Sequence, residues 1–328
     1  TVENRFDLET VFKNFPFSTS GLYIDWKFLD EAFISDTISY LKEKNATVYH
    51  LIDVLGNLAS SGNWFHNSAK DHTLLETLTK KFPDQHLISV STSVYQNAGA
   101  NMVQQLAYGL AHANEYLNHF DPSEQNASPP ITFTVAVGSN YFFEIAKIRA
   151  LRMLFASLAS AYNTPTTCHI IALPSRRNKT LYDYNVNMLR TTTECMAATL
   201  GGANSVCNLP YDALYHKSNE FGERIARNQL LILKNESYFD AVSNPADGSY
   251  YIETLTNQLA EKALELFKSI EKGGGLLSQL KEGTLQKKIK ESAQKEQDWF
   301  DEGKIVLLGT NKYPNKADQM KHDLELFP

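Results

Sequence analysis

Cysteine is scarce in this sequence: Cys168, Cys195 and Cys207 are three in 328 residues, too few and too irregularly spaced for a disulfide framework or a CxxC zinc site. They read as reduced, buried thiols. A basic excess is also missing. With 31 Lys and Arg against 37 Asp and Glu, the formal net charge of −6 gives no reason to expect attraction to nucleic acid or to an anionic membrane. No uninterrupted apolar run reaches the roughly 20 residues of a membrane-spanning helix, and the first residues lack the basic-then-apolar order of a secretory signal. A cytoplasmic protein is expected, although a signal upstream of Thr1 would not be visible.

The common chemical motifs are absent as well. Gly201–Gly202 and Gly273–Gly275 match neither GxGxxG nor a P-loop, and the serines of Ser60-Ser61-Gly62 and Gly138-Ser139-Asn140 do not sit in a GxSxG elbow. Nine histidines are scattered without HExxH or DxHxxG spacing. If His112 and His119 share a helix, both rings lie on one face but about 10 Å apart, too far for one metal ion with bonds of about 2 Å. The carboxylate pairs Asp247 with Glu253 and Glu220 with Glu223 fall on turn-like or exposed helical segments and read as solvated.

What is present is hydrophobic periodicity in a 43% hydrophobic chain. Strand-like runs at Gly21–Phe28, Thr47–Val54, Leu87–Tyr95, Ile131–Val137, Thr167–Leu173 and Ser205–Leu209 have the low charge and β-branched content of buried parallel strands. Helical periods cover Asp36–Lys44, Ala100–His119, Phe142–Tyr162, Val186–Leu200, Ser218–Leu233 and Tyr250–Lys272. Six such β/α units favour a (β/α)8 TIM barrel with one or two strands unseen, incomplete at the N-terminus if its first strands precede Thr1. An open doubly wound sheet is the alternative. The glycines at 273–275 stop a helix, and Leu276–Asp301 reads as two charged helical segments parted by Gly283. The expected organisation is a barrel domain over 1–275, then a helical extension and an exposed tail over 276–328. The residues alone lead to an α/β barrel with no evident active site.

Longer stretches carry a resemblance. Asn140 to Arg152 reads NYFFEIAKIRALR, and is similar to the NFFxEIAKxRAxR signature of the methylmalonyl-CoA mutase family. Asn187–Gly201 resembles that family's NxVRTxxEAMAATxG helix, with Leu189 and Cys195 as departures. Glu223 to Asn228 with Glu236-Ser237, Asn244 to Tyr251 (NPADGSYY) and Glu271 to Gly274 resemble its ARIARN…ES, DPxxGSYY and ExxGG segments. The motifs occur in the family's order, and the likeness covers about Leu51 to Lys312. It implies a TIM barrel whose axis holds an acyl-CoA thread, and radical 1,2-rearrangement with adenosylcobalamin carried by a separate flavodoxin-like domain. That domain's cobalt-ligating DxHxxG has no counterpart here.

Where the family's catalytic subunits read GYHxxEAGA, this sequence has Ser93, Val94 and Asn97 for the Tyr, His and Glu. Valine has no donor, so the stabilisation of a reacting carbonyl, roughly 3 kcal/mol per donor, is lost at that position. The RTHxQTSG strand is replaced by His169 to Arg176 (HIIALPSR), which is largely apolar, so the barrel interior is expected to be filled and not threaded. Cys207 replaces the His of SLHTN, and no TIQND-like segment lies between Leu51 and Tyr95. Ser93, Val94, Asn97, His169 and Cys207 are thus degenerate positions, with no catalytic, cofactor-binding or metal-binding residue expected. Tyr95, Gln96 and Asn97 are candidates for a relic pocket.

The resemblance implies a non-catalytic small subunit that stabilises a homologous catalytic large subunit in a heterodimer. In that arrangement the chain binds no cofactor alone, and adenosylcobalamin, methylmalonyl-CoA and succinyl-CoA belong to the large subunit. An acyl-CoA mutase active on its own through an altered pocket, or an acyl-CoA-binding regulatory module, are the alternatives. The shared ionic residues Glu144, Lys147, Arg149 and Arg152, and Arg224, Arg227 and Asn228, are expected to form helix-surface salt links or an interface.

Overall fold

A computed structural model describes residues 5–120, 129–162 and 164–326 of the chain. The last two residues of the expected tail and Thr1 lie outside it. Among the described residues, six strands alternate with helices: α1 Arg5–Val11, β1 Gly21–Asp25, α2 Glu31–Glu43, β2 Thr47–Ile52, α3 Val54–Ser61, α4 Ser68–Lys81 and β3 His86–Ser91. There follow α5 Thr92–Asn97, α6 Met102–His119, β4 Ile131–Val137, α7 Tyr141–Ala161, β5 His169–Pro174, α8 Asn187–Leu200 and β6 Ser205–Val206. The chain continues through α9 Glu220–Asn235, α10 Tyr250–Lys272, α11 Gly275–Lys281 and α12 Thr284–Asp301. The strands form one parallel sheet in sequence order, β1-β2-β3-β4-β5-β6. This order comes from successive crossover helices and gives the α/β class that the alternation predicts.

The sheet is curled. In a flat sheet β1 and β5 would be about 19 Å apart at the usual strand spacing. Instead the Tyr23 hydroxyl on β1 lies 2.8 Å from His169 Nε2 on β5. Side chains alternate accordingly. On β4, Phe133, Val135 and Val137 belong to the hydrophobic core under the helices, together with Ile145, Ile148 and Leu151 of α7 and Leu106 and Leu110 of α6. Thr134 and Ala136 point into the concave side, where they line a cavity. The helices therefore cover the convex face, and α10 packs across α6 and α7.

One strand expectation is corrected. The run Leu87–Tyr95 ends as a strand at Ser91, and Thr92–Asn97 is a short helix, so Val94 sits on α5. Local β-propensity is overridden because the Asp53 carboxylate accepts the Ser91 amide at 2.8 Å and the Tyr95 ring turns into the α6 layer. Four helices escaped the sequence pattern: α3 and α4, besides α1 and α5. Each of the first two begins on a readable cap, Asp53 accepting from Gly56 N and Asn67 from Lys70 N.

The shared ionic residues are not all on the surface. Glu144 and Lys147 are buried, with Lys147 Nζ 2.6 Å from Glu144 Oε2, donating to the Ala136 carbonyl at 2.7 Å and to Gln105 Oε1 at 3.0 Å. Lys147 thereby fastens α7 to the end of β4, which corrects the surface-link expectation for this pair. Arg149 reaches Asn244 Oδ1 at 2.7 Å and also Glu253, while Arg152 donates to the carbonyls of Cys168 and Gly202. Arg149 thus ties the motif at 140–152 to the motif at 244–251. Arg224, Arg227 and Asn228 are exposed on α9.

Of the cysteines, Cys168 and Cys195 are buried, which pushes their thiols up to about 11 and about 12; Cys207 is exposed, contrary to the expectation of a buried thiol. Helices α11 and α12 share a hydrophobic cluster with α5 and α6, formed by Leu276, Leu280, Leu285, Ile289, Tyr95, Ala107 and Tyr108. At Gly99 the backbone has φ of 105° and an added Cβ would lie 2.4 Å from Ala293 Cβ, so only glycine allows α12 this approach.

Candidate functional site

The concave side of the sheet has two halves. Toward the N-terminal ends of the strands it is occupied by rings. Tyr49 of β2 stacks on Tyr23 with centroids 5.0 Å apart and on His169 at 3.9 Å, and His86 of β3 lies 4.6 Å from Tyr49. Burial drives His169 down to about 4, with the charges of His86 and Arg152 acting in the same direction, so its ring is neutral at pH 7. The stack crosses the axis from β1 to β5.

Above it, at the C-terminal ends of the strands, lies a cavity of about 650 Å³. Ser89, Ser91 and Ser93 with Thr134 give one group of hydroxyls, Leu51, Ile171, Leu173 and Pro174 give apolar wall, and Asp25, Lys27, Asn57, Asn97, Arg176 and Asn208 surround the rest. This half is open space, so the expectation of a filled interior holds for the lower half and is corrected for the upper one. Small serines at the ends of β3 and on α5 leave the room.

Asp53, at the end of β2, organises one side of this cavity. Its carboxylate accepts the amides of Gly56 and Ser91 and the Tyr116 hydroxyl at 3.0 Å, and lies 2.9 Å from His112 Nε2. Burial pushes the Asp53 pKa up, but the His112 charge, its hydrogen bond and the two backbone amides outweigh that and leave it below the usual carboxylate value. His112 Nδ1 is 3.1 Å from the Tyr95 hydroxyl, so α5 and α6 are tied to the same carboxylate. His119 has other partners: its Nε2 is 3.0 Å from Glu76 and its ring faces His72.

The sequence-derived positions separate into groups. Ser93, Val94, Asn97 and Cys207 all line the cavity, and Ser93 Oγ is 2.7 Å from Ser91 Oγ. His169 belongs to the ring stack. Of the relic-pocket candidates only Asn97 lines the axial cavity; Tyr95 is buried in the helix layer, and Gln96 donates to Ser175 Oγ at 2.6 Å and borders a separate cleft under α12. Tyr23, Tyr49, Asp53 and Arg176 were not singled out as site residues by sequence. The alternation Tyr23-x-Asp25 and Tyr49-x-Leu51-x-Asp53 was the available signal, since period two puts all five on one face.

The class these features define is an α/β half-barrel with its cavity at the C-terminal strand ends, where barrel enzymes keep their sites. The profile of the methylmalonyl-CoA mutase family matches residues 34–327, and the chain belongs to that family. It is 40% identical over 244 residues to the methylmalonyl-CoA mutase small subunit of Porphyromonas gingivalis, covering 72% of this chain and 40% of that protein. It is 32% identical over 269 residues to the small subunit of Streptomyces virginiae, covering 80% of this chain and 43% of the relative. A methylmalonyl-CoA mutase of Cereibacter sphaeroides is 36% identical over 248 residues, covering 73% and 35%. The chain therefore spans well under half the length of these curated relatives.

Proposed function

We propose that this chain is the barrel part of a non-catalytic small subunit of a heterodimeric, adenosylcobalamin-dependent methylmalonyl-CoA mutase, and that it stabilises a homologous large subunit that interconverts methylmalonyl-CoA and succinyl-CoA. The observation that carries the reading is the ring stack. A thioester threaded along the axis would have to pass the point where Tyr23, Tyr49 and His169 meet, with Tyr23 and His169 2.8 Å apart. Above that point, Val94 offers no donor to a substrate carbonyl, and Ser93, Asn97 and Cys207 supply only small groups.

The described residues present no imidazole set out to ligate a cobalt in the cavity, consistent with a ligating histidine that the family keeps on a separate domain. Among the described residues the cavity lining includes no imidazole, and His50, His112 and His169 are each engaged with Trp26, Asp53 and Tyr23. In this reading the cofactor belongs to the large subunit. In this reading residues 1–275 form a TIM-type (β/α)8 barrel incomplete at the N-terminus, six of whose strands are described, with a helical extension and tail over 276–328, and the setting is cytoplasmic, as three unpaired thiols favour. No helix among the described residues is long and apolar enough to cross a membrane.

The test is to purify the full chain with a homologous subunit that carries GYHxxEAGA and DxHxxG. A stable one-to-one complex with mutase turnover and a higher Tm than the large subunit alone is expected. Failure of the two chains to associate would overturn the reading.

A further inference from the structure

We propose that the upper cavity binds a free short-chain carboxylate, which enters from the C-terminal side and pairs with Arg176. This rests on the reading that the ring stack closes the lower end. The volume of about 650 Å³ lies within the range of small-ligand pockets. Its chemistry is divided between a hydrocarbon surface, Leu51, Ile171, Leu173 and Pro174, and hydroxyls from Ser89, Ser91, Ser93 and Thr134.

The charges decide the sign of the ligand. Lys27 Nζ is 2.5 Å from Asp25 Oδ2, so those two groups neutralise each other. The Asp53 carboxylate is held by two amides, a tyrosine hydroxyl and His112. Arg176 lines the same cavity, is exposed, and its guanidinium makes no ion pair or side-chain hydrogen bond among the described residues. One unmatched cation therefore remains at the rim. A guanidinium presents a planar fork that suits a carboxylate, and the apolar wall accommodates the attached chain. A thioester has a neutral carbonyl in place of that carboxylate, and the rings bar its route along the axis.

The experiment is calorimetric titration of the full chain with butyrate, with inorganic phosphate and butyryl-CoA as comparison probes. Saturable butyrate binding is expected, tighter than phosphate, at least tenfold weaker in Arg176→Gln and partly restored in Arg176→Lys. The exposed position leaves the fold of both variants unaffected, which equal Tm values verify. No saturable butyrate binding, equal binding by Arg176→Gln, or phosphate binding as tightly as butyrate would each overturn the proposal. Butyryl-CoA binding as tightly as butyrate would instead overturn the closure by the ring stack, even with the Arg176 dependence intact.

Discussion

The Tyr23 hydroxyl and His169 Nε2, 146 residues apart in sequence, meet at 2.8 Å across the concave face of a six-stranded parallel sheet. This one contact shows that the sheet curls and that its axis is occupied. Since the His169 ring is neutral at pH 7, one ring nitrogen is free to accept from the tyrosine, and no charge has to be desolvated to fill the space. Aromatic rings fill the lower half of the concave face, and small hydroxyl residues leave a cavity in the upper half.

Acid should loosen this protein through its neutral histidines. Burial holds His50 at about 4, and burial with the charges of His86 and Arg152 does the same for His169, against an ordinary value of 6.5. Between about pH 6.5 and 4 the unfolded chain therefore binds more protons than the folded one, so stability falls as pH drops through that window and levels off below it. For the buried His50 the full shift corresponds to on the order of 3 kcal/mol. Urea midpoints at pH 7 and pH 4.5 should show a smaller acid loss in His50→Gln than in the parent. An equal loss would show that His50 does not contribute.

The buried Glu144 and Lys147 pair should be far more sensitive to losing one partner than to losing both. Lys147→Met leaves a buried carboxylate uncompensated and should cost about 3–5 kcal/mol in denaturant unfolding. The double variant Glu144→Gln, Lys147→Met should recover most of that loss. Additive costs in the double-mutant cycle would contradict the pairing.

Gly99 should report on the seat of α12. Gly99→Ala puts a methyl 2.4 Å from Ala293 Cβ at a φ of 105°, and should cost about 1–3 kcal/mol. Limited proteolysis should then cut α12 earlier than the rest of the chain. Unchanged cleavage and Tm would mean that α12 is not held at Gly99.

Much of the fold was legible because the buried strands are β-rich runs between helical periods, and Ile131–Val137 and Tyr250–Lys272 coincide with β4 and α10. The helix at Thr92–Asn97 was not, because a carboxylate 38 residues earlier takes the Ser91 amide and no local pattern encodes that. The motif residues were visible as a set, but their roles were not. Glu144, Lys147 and Arg149 have the spacing of a surface salt link, and only the packing of α7 against β4 and the 244–253 segment shows what they hold. Ser93, Val94, Asn97 and Cys207 could be singled out from the resemblance alone, but as separate positions; the shared cavity emerges only from the fold. Tyr23, Tyr49 and Asp53 could not, since tyrosine alternation in a strand is equally consistent with an ordinary packed core.

Turnover of methylmalonyl-CoA by the full chain alone, with adenosylcobalamin added, tests the central claim most directly, and is best run beside the Val94→His variant. No succinyl-CoA should form with either protein, because the ring stack and the other degenerate positions persist when the imidazole is restored. Conversion by the parent chain would contradict the non-catalytic assignment, and conversion by Val94→His alone would show that one missing donor, not the closed axis, keeps the chain inactive.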